Sequence, residues 1–187
     1  MLAAGYEAGS DSGVAVVITA EQIIKIFRMK PLAGEGGFYV ETYRCGDKIG
    51  EAHLPAGYSG ERSFSSAILY LLTPDTFSRL HRLKSDEIFH FYLGDPVTML
   101  QLYPDGSGEV ITLAQGILRG EHIQVVVPGG SWQGCFLNPG GRFALMGTTV
   151  SPGFEFADFE PADREQLLGQ YPAQKDLIVR LTRNIET

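Results

Sequence analysis

A histidine and a glutamate stand on either side of a short polar turn in the stretch LHRLKSDEIFHFYLG, residues 80–94. If the residues before the turn form one strand and those after it form the returning strand, alternation points His81 and Glu87 into the same interior. An imidazole beside a carboxylate can ligate a metal ion, transfer a proton or hold a polar ligand. His81 and Glu87 are therefore the candidate catalytic pair.

The metal interpretation depends on how many ligands the sequence supplies. A catalytic transition-metal centre usually takes three or four protein ligands. Here only His81, Glu87 and the weak ligand Gln133 are available. His90 lies at an odd offset from Glu87 and is expected to face the other side of its strand. We expect no cofactor, and a weakly held divalent ion is the most that these three residues support.

An acid/base interpretation uses the same pair differently. A neutral histidine beside a carboxylate can abstract the proton next to a carbonyl group, and a tyrosine on the opposite wall can return one. The candidate acids are Tyr70, Tyr92 and Tyr103. This chemistry would make the protein an isomerase or epimerase. A buried hydrogen-bonded pair with a purely structural role accounts for His81 and Glu87 equally well.

A third interpretation is a ligand pocket without turnover. Small-molecule sites combine mostly apolar walls with a few converging polar groups. The chain supplies both kinds of side chain, and the candidate ligand-binding residues are His81, Lys84, Glu87, Phe89, Tyr70, Trp132 and Gln133. Trp132 directly follows a Gly-Gly turn, so the alternative for this residue is that it closes one end of the β-domain.

The elements that position these residues are predicted to be mostly strands. Short runs rich in β-branched and aromatic residues, such as FYVETYR (38–44), SAILYLL (66–72) and EVITL (109–113), are separated by Gly, Pro, Asp and Asn. Seven or more such runs at this spacing favour an antiparallel sandwich or barrel over an α/β fold. The predicted fold class is therefore all-β.

Helices are predicted only near the two ends of the chain. A capping-box pattern that begins at Thr19 precedes apolar residues at helical spacing, which predicts a short amphipathic helix over residues 20–29. Pro161 and Pro172 stand where a first helical turn tolerates proline. They predict two short C-terminal helices.

Two stretches resemble the sequence motifs of the cupin superfamily. Residues 80–94 resemble His-x-His, three or four residues, Glu, six residues, Gly; residues 120–134 resemble Gly, about five residues, Pro-x-Gly-x-x-His. The matching residues are His81, Glu87, Gly94, Pro128 and Gly130. Leu83 and Gln133 stand where the pattern has its second and third histidines.

More narrowly, EGGFYVETYR, LHRLKSDEIFHFYLGDP, VVPGGSWQG and VSPGFEFADFE together resemble a cupin-like family catalogued as a domain of unknown function. This resemblance covers roughly residues 34–181. It implies a double-stranded β-helix, the jelly-roll barrel, commonly as a dimer, and it leaves the activity open. Some cupin relatives are nucleotide-sugar epimerases. We favour binding over catalysis, because Leu83 and Gln133 replace groups that chemistry would have used.

Composition limits the partners. The 187 residues carry a formal net charge of -7, which would repel the phosphates of a nucleic acid. No apolar run approaches the ~20 residues that a membrane span needs. The two cysteines are far apart, which favours reduced thiols in a cytoplasmic protein. We predict a flexible leader at residues 1–18 and one domain at residues 19–187.

The stretch before the main strand series carries two further predictions. Jelly-roll sheets leave edge strands that need cover, so residues 37–44 are predicted to pair across the two-fold axis of a homodimer. Glu35, Glu41 and Arg44 lie close together in the sequence and are predicted to form a structural ion pair with one another.

Overall fold

The computed structural model describes residues 18–183. Its strands form one six-stranded and one five-stranded sheet, together with a small two-stranded sheet. The predicted leader, apart from residue 18, lies outside the described residues. The single-domain prediction for residues 19–187 stays a prediction.

The strands are β1 (Lys30–Pro31), β2 (Phe38–Arg44), β3 (Lys48–Ile49), β4 (Arg62–Ser63), β5 (Ser66–Leu72), β6 (Phe77–Arg82), β7 (Asp86–Gly94), β8 (Val97–Leu102), β9 (Gly108–Leu113), β10 (Gln124–Val127), β11 (Trp132–Leu137), β12 (Ala144–Ser151) and β13 (Glu160–Pro161). The larger sheet has the order β1-β2-β5-β12-β7-β10, the smaller has the order β13-β6-β11-β8-β9, and β3 pairs with β4. Neighbouring strands are antiparallel throughout. The all-β jelly-roll fold predicted from the sequence is confirmed.

Side-chain alternation along β7 follows the predicted pattern. Glu87, Phe89 and Phe91 are buried, whereas His90, which lies between the two phenylalanines, is only partly buried. The imidazole of His90 lies 3.3 Å from the Thr149 hydroxyl and 3.2 Å from the Gln124 amide. His90 therefore faces away from the interior, as its odd offset from Glu87 predicts.

The main core lies between the two sheets and takes side chains from both of them. Its buried residues are Leu32, Tyr70, Leu72, Phe89, Phe91, Val97, Met99, Ile111, Leu113, Val125, Val127, Cys135, Leu137, Ala144 and Met146. Each large apolar side chain that is fully buried here stabilises the fold by about 1.5–3 kcal/mol relative to exposure. Both cysteines are free thiols; Cys135 is buried and Cys45 is half-buried.

Helix α1 (Ala20–Phe27) begins with the predicted capping box. The Thr19 hydroxyl accepts a hydrogen bond from the backbone N–H of Gln22 at 3.3 Å, and the Gln22 side chain accepts one from the backbone N–H of Thr19 at 2.9 Å. The helix ends two residues before the predicted end. The reason is Arg28, whose φ of 54° is left-handed and stops the helical hydrogen-bond pattern.

Helices α2 (Arg164–Gln170) and α3 (Lys175–Leu181) pack on the outer face of the smaller sheet. The prediction for Pro161 is wrong: this residue lies in β13, which pairs with β6. Asp163 caps α2 instead, because its carboxylate accepts a backbone N–H of the first turn. Pro172 begins a short 3₁₀ helix that leads into α3. In the described part of the chain, no helix is long and apolar enough to cross a membrane.

Candidate functional site

A cavity of about 180 Å³ opens between the two sheets. Its polar lining consists of Glu35, Glu41, Arg44, Ser66, His81, Glu87, Thr148 and Glu155. Its other lining residues are mainly apolar or aromatic: Leu32, Ala33, Tyr39, Ala67, Ile68, Leu83, Val150, Phe154, Phe156 and Phe159. The two residues of the predicted catalytic pair thus reach the same cavity. They do so from the facing sheets, His81 from β6 and Glu87 from β7, rather than from strands paired side by side.

His81 is held in one orientation. Its side chain is 2% exposed, and Nδ1 lies 2.7 Å from the backbone carbonyl oxygen of Arg79. Because a carbonyl oxygen can only accept, Nδ1 must carry the hydrogen, which leaves Nε2 as the nitrogen that can accept or exchange a proton. The ring also stacks on Phe159, with 5.0 Å between centroids.

Gln133 connects His81 to Glu87. It lies directly opposite His81 in the pairing of β11 with β6. Its side-chain amide nitrogen is 3.3 Å from His81 Nε2 and also donates a hydrogen bond to Glu87 Oε2. Gln133 Oε1 is buried and has no hydrogen-bond partner among the described residues. The amide therefore uses its two N–H groups to bridge the imidazole and the carboxylate.

This geometry does not fit a tight transition-metal site. A metal ion needs lone pairs that converge on one point. Gln133, however, presents N–H donors to His81 and Glu87. Its side-chain oxygen, which carries the lone pairs, does not take part in this bridge. Within residues 18–183, no group of three or more His, Cys, Asp or Glu side chains is arranged to hold a metal ion. In this geometry Gln133 acts as a hydrogen-bond donor to both side chains.

Glu35 is a cavity residue that the sequence prediction did not assign to the site. Its Oε2 lies 3.9 Å from His81 Nε2, and its Oε1 accepts a hydrogen bond from the Ser78 hydroxyl at 2.8 Å. The predicted ion pair of Arg44 forms with Glu41 at 2.7 Å, without Glu35. The part of the prediction that placed Glu35 in this pair is wrong. The cavity lining therefore contains a second carboxylate, that of Glu35, besides Glu87.

A glycine-rich loop places Glu35 there. Gly34, Gly36 and Gly37 all have positive φ, at 83°, 108° and 71°. A Cβ on Gly37 would lie 2.8 Å from the hydroxyl oxygen of Tyr70, so the loop also needs the missing side chain. The Tyr70 hydroxyl donates to the carbonyl of Gly36 at 2.9 Å. The glycine cluster was the signal in the sequence that the chain turns sharply into the barrel at this point.

The interior disfavours negative charge. Burial, and after it the charge of Glu35, raise the pKa of Glu87, and the nearby His81 offsets only part of this effect. Burial and the same two carboxylates raise the pKa of the Cys135 thiol, which therefore stays protonated. A buried neutral thiol is a poor nucleophile. Cys135 is thus a core residue and not a candidate for covalent chemistry.

The mouth of the cavity is formed by the loop between β12 and β13, residues 152–159. Arg44 of β2 joins this loop by donating to the Glu155 carboxylate at 3.0 Å and to the Phe154 carbonyl oxygen at 3.2 Å. Arg44 also bonds Glu41, so its charge is shared between two carboxylates. The guanidinium therefore acts mainly as a clamp between β2 and the loop.

A buried ion pair anchors the same loop from the other side. Asp158 is 5% exposed and bonds Arg62 at 2.6 Å, with the Lys84 ammonium at 3.3 Å. Burial alone would raise the pKa of Asp158, but the hydrogen bonds and charges of Arg62 and Lys84 outweigh it and hold this pKa below its usual range. Lys84 also donates to the carbonyl of Gly57 at 2.6 Å. It borders a second, open cleft of about 590 Å³ and is not among the residues that line the barrel cavity.

Three aromatic residues of the predicted pocket lie outside the cavity lining. Tyr70 and Phe89 are each 1% exposed and belong to the core between the sheets. Trp132 packs under the C-terminal helices, with the Arg82 guanidinium 4.5 Å from its ring centroid. Adjacent residues of a strand face opposite sides, so Trp132 cannot share the interior with Gln133. The aromatic residues that do line the cavity come from β2 and from the mouth loop.

None of the three candidate acids faces His81. The Tyr70 hydroxyl is used by Gly36, and burial raises its pKa well above the usual range. Tyr92 is 45% exposed, and the Tyr103 hydroxyl is bonded to Glu109 at 3.1 Å. Tyr39 is the tyrosine that lines the cavity.

The two facing sheets, with the candidate site on β6, β7 and β11, define a cupin-type barrel. The sequence matches the family described as "Cupin superfamily (DUF985)" over residues 21–162. This chain belongs to that family.

Two solved structures are similar to this chain over most of its length. A hypothetical protein from Leishmania major is 30% identical, with a TM-score of 0.79, and the match covers 89% of this chain and 100% of that chain. Protein SO0799 from Shewanella oneidensis is 35% identical, with a TM-score of 0.77, and the match covers 89% of this chain and 99% of that chain.

A curated relative comes from Saccharomyces cerevisiae. The "Uncharacterized protein YML079W" is 34% identical over 134 residues, which are 66% of this chain and 66% of the yeast protein. This chain therefore spans just under two thirds of that relative's length. The names of these three relatives state no activity.

Proposed function

We propose that this protein binds a small metabolite in the barrel cavity. The observation that supports this proposal is the convergence of His81, Glu87 and Glu35 on a cavity whose remaining lining is mainly apolar or aromatic. Small-molecule sites have this composition. A volume of about 180 Å³ is below the roughly 300–1,000 Å³ of drug-sized sites, so the ligand that fits is small.

The polar groups are held in place before a ligand arrives. The Arg79 carbonyl and the Gln133 amide fix both nitrogens of His81, and Ser78 fixes one oxygen of Glu35. Groups that are already ordered lose little side-chain entropy on binding. The ring of Phe159, stacked on His81, offers a flat apolar surface next to these polar atoms.

A ligand screen with a matched pair of variants tests this proposal. Nucleotides, nucleotide sugars, keto-sugars and small amines are screened by thermal shift, and each hit is measured by calorimetry. His81→Ala should weaken binding by ~1–3 kcal/mol, because a buried polar partner is lost. His53→Ala, on an exposed 3₁₀ helix, should leave binding unchanged. If no compound stabilises the protein, or if hits bind His81→Ala with full affinity, the proposal fails.

Proton transfer is the second candidate function. It is favoured by one observation, that His81 Nε2 lies 3.9 Å from the Glu35 carboxylate in the cavity while the opposite nitrogen is fixed on a carbonyl. A keto-sugar substrate would then exchange the C–H next to its ketone with deuterated water, and proton NMR would detect this exchange. His81→Ala should slow it by ~100-fold or more. Binding without exchange would exclude this candidate for that ligand.

We further propose that the protein works as a cytoplasmic homodimer. The support for the dimer is the edge of β2, where β1 pairs only with Phe38 and Tyr39. Among the described strands, residues 40–44 have no partner on that side. An uncovered edge of this kind can pair with the same edge of a second copy.

A further inference from the structure

The charged groups around the cavity are mostly negative. The lining contains four carboxylates and one guanidinium, those of Glu35, Glu41, Glu87, Glu155 and Arg44. Arg44 is bonded to two of these carboxylates, at 2.7 Å and 3.0 Å. In the described lining, no positive charge is left to receive an anionic ligand. Apolar walls around one sign of charge concentrate the field inside a cleft.

The inner end of the cavity offers hydrogen-bond acceptors. The Gln133 amide donates to Glu87, and the Ser78 hydroxyl donates to Glu35. These two donors are therefore already used within the protein. Glu35 Oε2 lies 3.9 Å from His81 Nε2, whose lone pair already accepts from the Gln133 amide. Neither atom can donate when the imidazole is neutral.

These groups select the charge of a ligand. A carboxylate or phosphate placed beside His81 would meet Glu35 and Glu87 without a compensating cation, which is costly in a partly buried site. An ammonium group would instead supply several N–H donors to these acceptors, and charge-assisted hydrogen bonds of this kind are the strong ones. Tyr39 and Phe159 would contact the rest of the ligand, and aromatic faces attract organic cations.

We infer that the cavity takes a small organic amine, with its ammonium group at Glu35 and Glu87 and its apolar body against the aromatic lining. The inference rests on the proposed binding function and adds the chemical class of the ligand. It predicts that nucleotides and other phosphorylated compounds are excluded from the inner end of the cavity.

Three probes that share one ring but differ in charge test this inference. Benzylamine, benzyl alcohol and benzoate are titrated into the full chain by calorimetry. Benzylamine should bind roughly tenfold or more tightly than benzoate. Glu35→Gln keeps the shape but removes a charge, so it should lower benzylamine affinity roughly tenfold and leave benzyl alcohol within about twofold. Glu165→Gln, at an exposed residue in the first turn of α2, is the matched control and should change none of the three affinities.

Several results would overturn the inference. The inference fails if benzoate or benzyl alcohol binds as tightly as benzylamine, or if Glu35→Gln binds benzylamine with full affinity. In these cases the proposed binding function would still stand if binding needs His81. No binding of any probe would also overturn it, while the wider ligand screen would still decide the proposed function. Stabilisation by Ca²⁺ or Mn²⁺ that Glu35→Gln abolishes, without a response to benzylamine, would assign the carboxylates to a metal ion.

Discussion

A single amide group separates the imidazole of His81 from the carboxylate of Glu87. An imidazole in place of Gln133 would direct a lone pair toward these groups, whereas the amide directs N–H donors at them. The glutamine at this place of the motif thus links the two side chains by hydrogen bonds.

The raised pKa of Glu87 makes stability depend on pH. Burial and Glu35 raise the pKa of Glu87 in the folded state, so folding favours the protonated form. The stability that the protonated form provides is lost as the pH rises through the folded-state pKa. Glu87→Gln should therefore be more stable than the wild type at about pH 7 and lose this advantage near about pH 4. Urea unfolding at both pH values measures the difference. Equal stability of the two proteins at neutral pH would contradict this prediction.

Strand alternation explains which site residues could be predicted. His81, Glu87 and Gln133 follow from the motif and from alternation, because each lies within a regular strand. Trp132 was misplaced because the residue next to an inward-facing one faces outward. Glu35 could not be predicted, since it reaches the cavity through a loop with left-handed glycines and not through any periodic pattern.

At the scale of elements, two loops complete the cavity that the strands frame. The glycine loop, residues 34–37, carries Glu35, and the mouth loop, residues 152–159, carries the phenylalanines. The three quoted strand runs match β2, β5 and β9 to within one residue, because their β-branched and aromatic residues are bounded by Gly, Pro, Asp and Asn. The two-residue strand β13 was missed because two residues cannot show a period.

The glycine loop should be sensitive to one added methyl group. Gly37→Ala combines a positive φ of 71° with a Cβ only 2.8 Å from the Tyr70 hydroxyl oxygen. We expect destabilisation by about 1–2 kcal/mol from the backbone and about 1–3 kcal/mol from overpacking. Gly57→Ala, with a φ of 98° and nothing within 4 Å of its Cβ, should show only the backbone part. Equal losses for both variants in urea unfolding would refute the packing argument.

The mouth loop depends on its buried anchor. Arg62→Met would leave Asp158 buried with the more distant Lys84 as its remaining charge partner, which should cost about 3 kcal/mol of unfolding free energy. Lys48→Met breaks an exposed pair with Glu61 and should cost about 1 kcal/mol or less. Chemical denaturation measures both variants. If Arg62→Met loses no more unfolding free energy than Lys48→Met does, the buried ion pair does not anchor the loop.

At the scale of the whole molecule, the open edge of β2 predicts assembly. Light scattering should report about twice the chain mass of 20.4 kDa. Tyr43→Asp puts a charge on this edge strand, at a side chain that is 53% exposed in one chain, and should shift the protein toward monomer. Val110→Asp, 50% exposed on the other sheet, is the control that should stay dimeric. A wild-type mass of one chain at micromolar concentration would count against the shared edge.

The most direct measurement of where the protein binds its ligand is a crystal structure with a hit from the ligand screen. We predict density for the compound between the two sheets, with a polar atom within hydrogen-bond distance of His81 Nε2 or the Glu35 carboxylate and its apolar part against Phe159. Calorimetry on the same compound must show that binding needs His81. A compound that binds in solution but lies outside the barrel, with only water in the cavity, would contradict the proposed site.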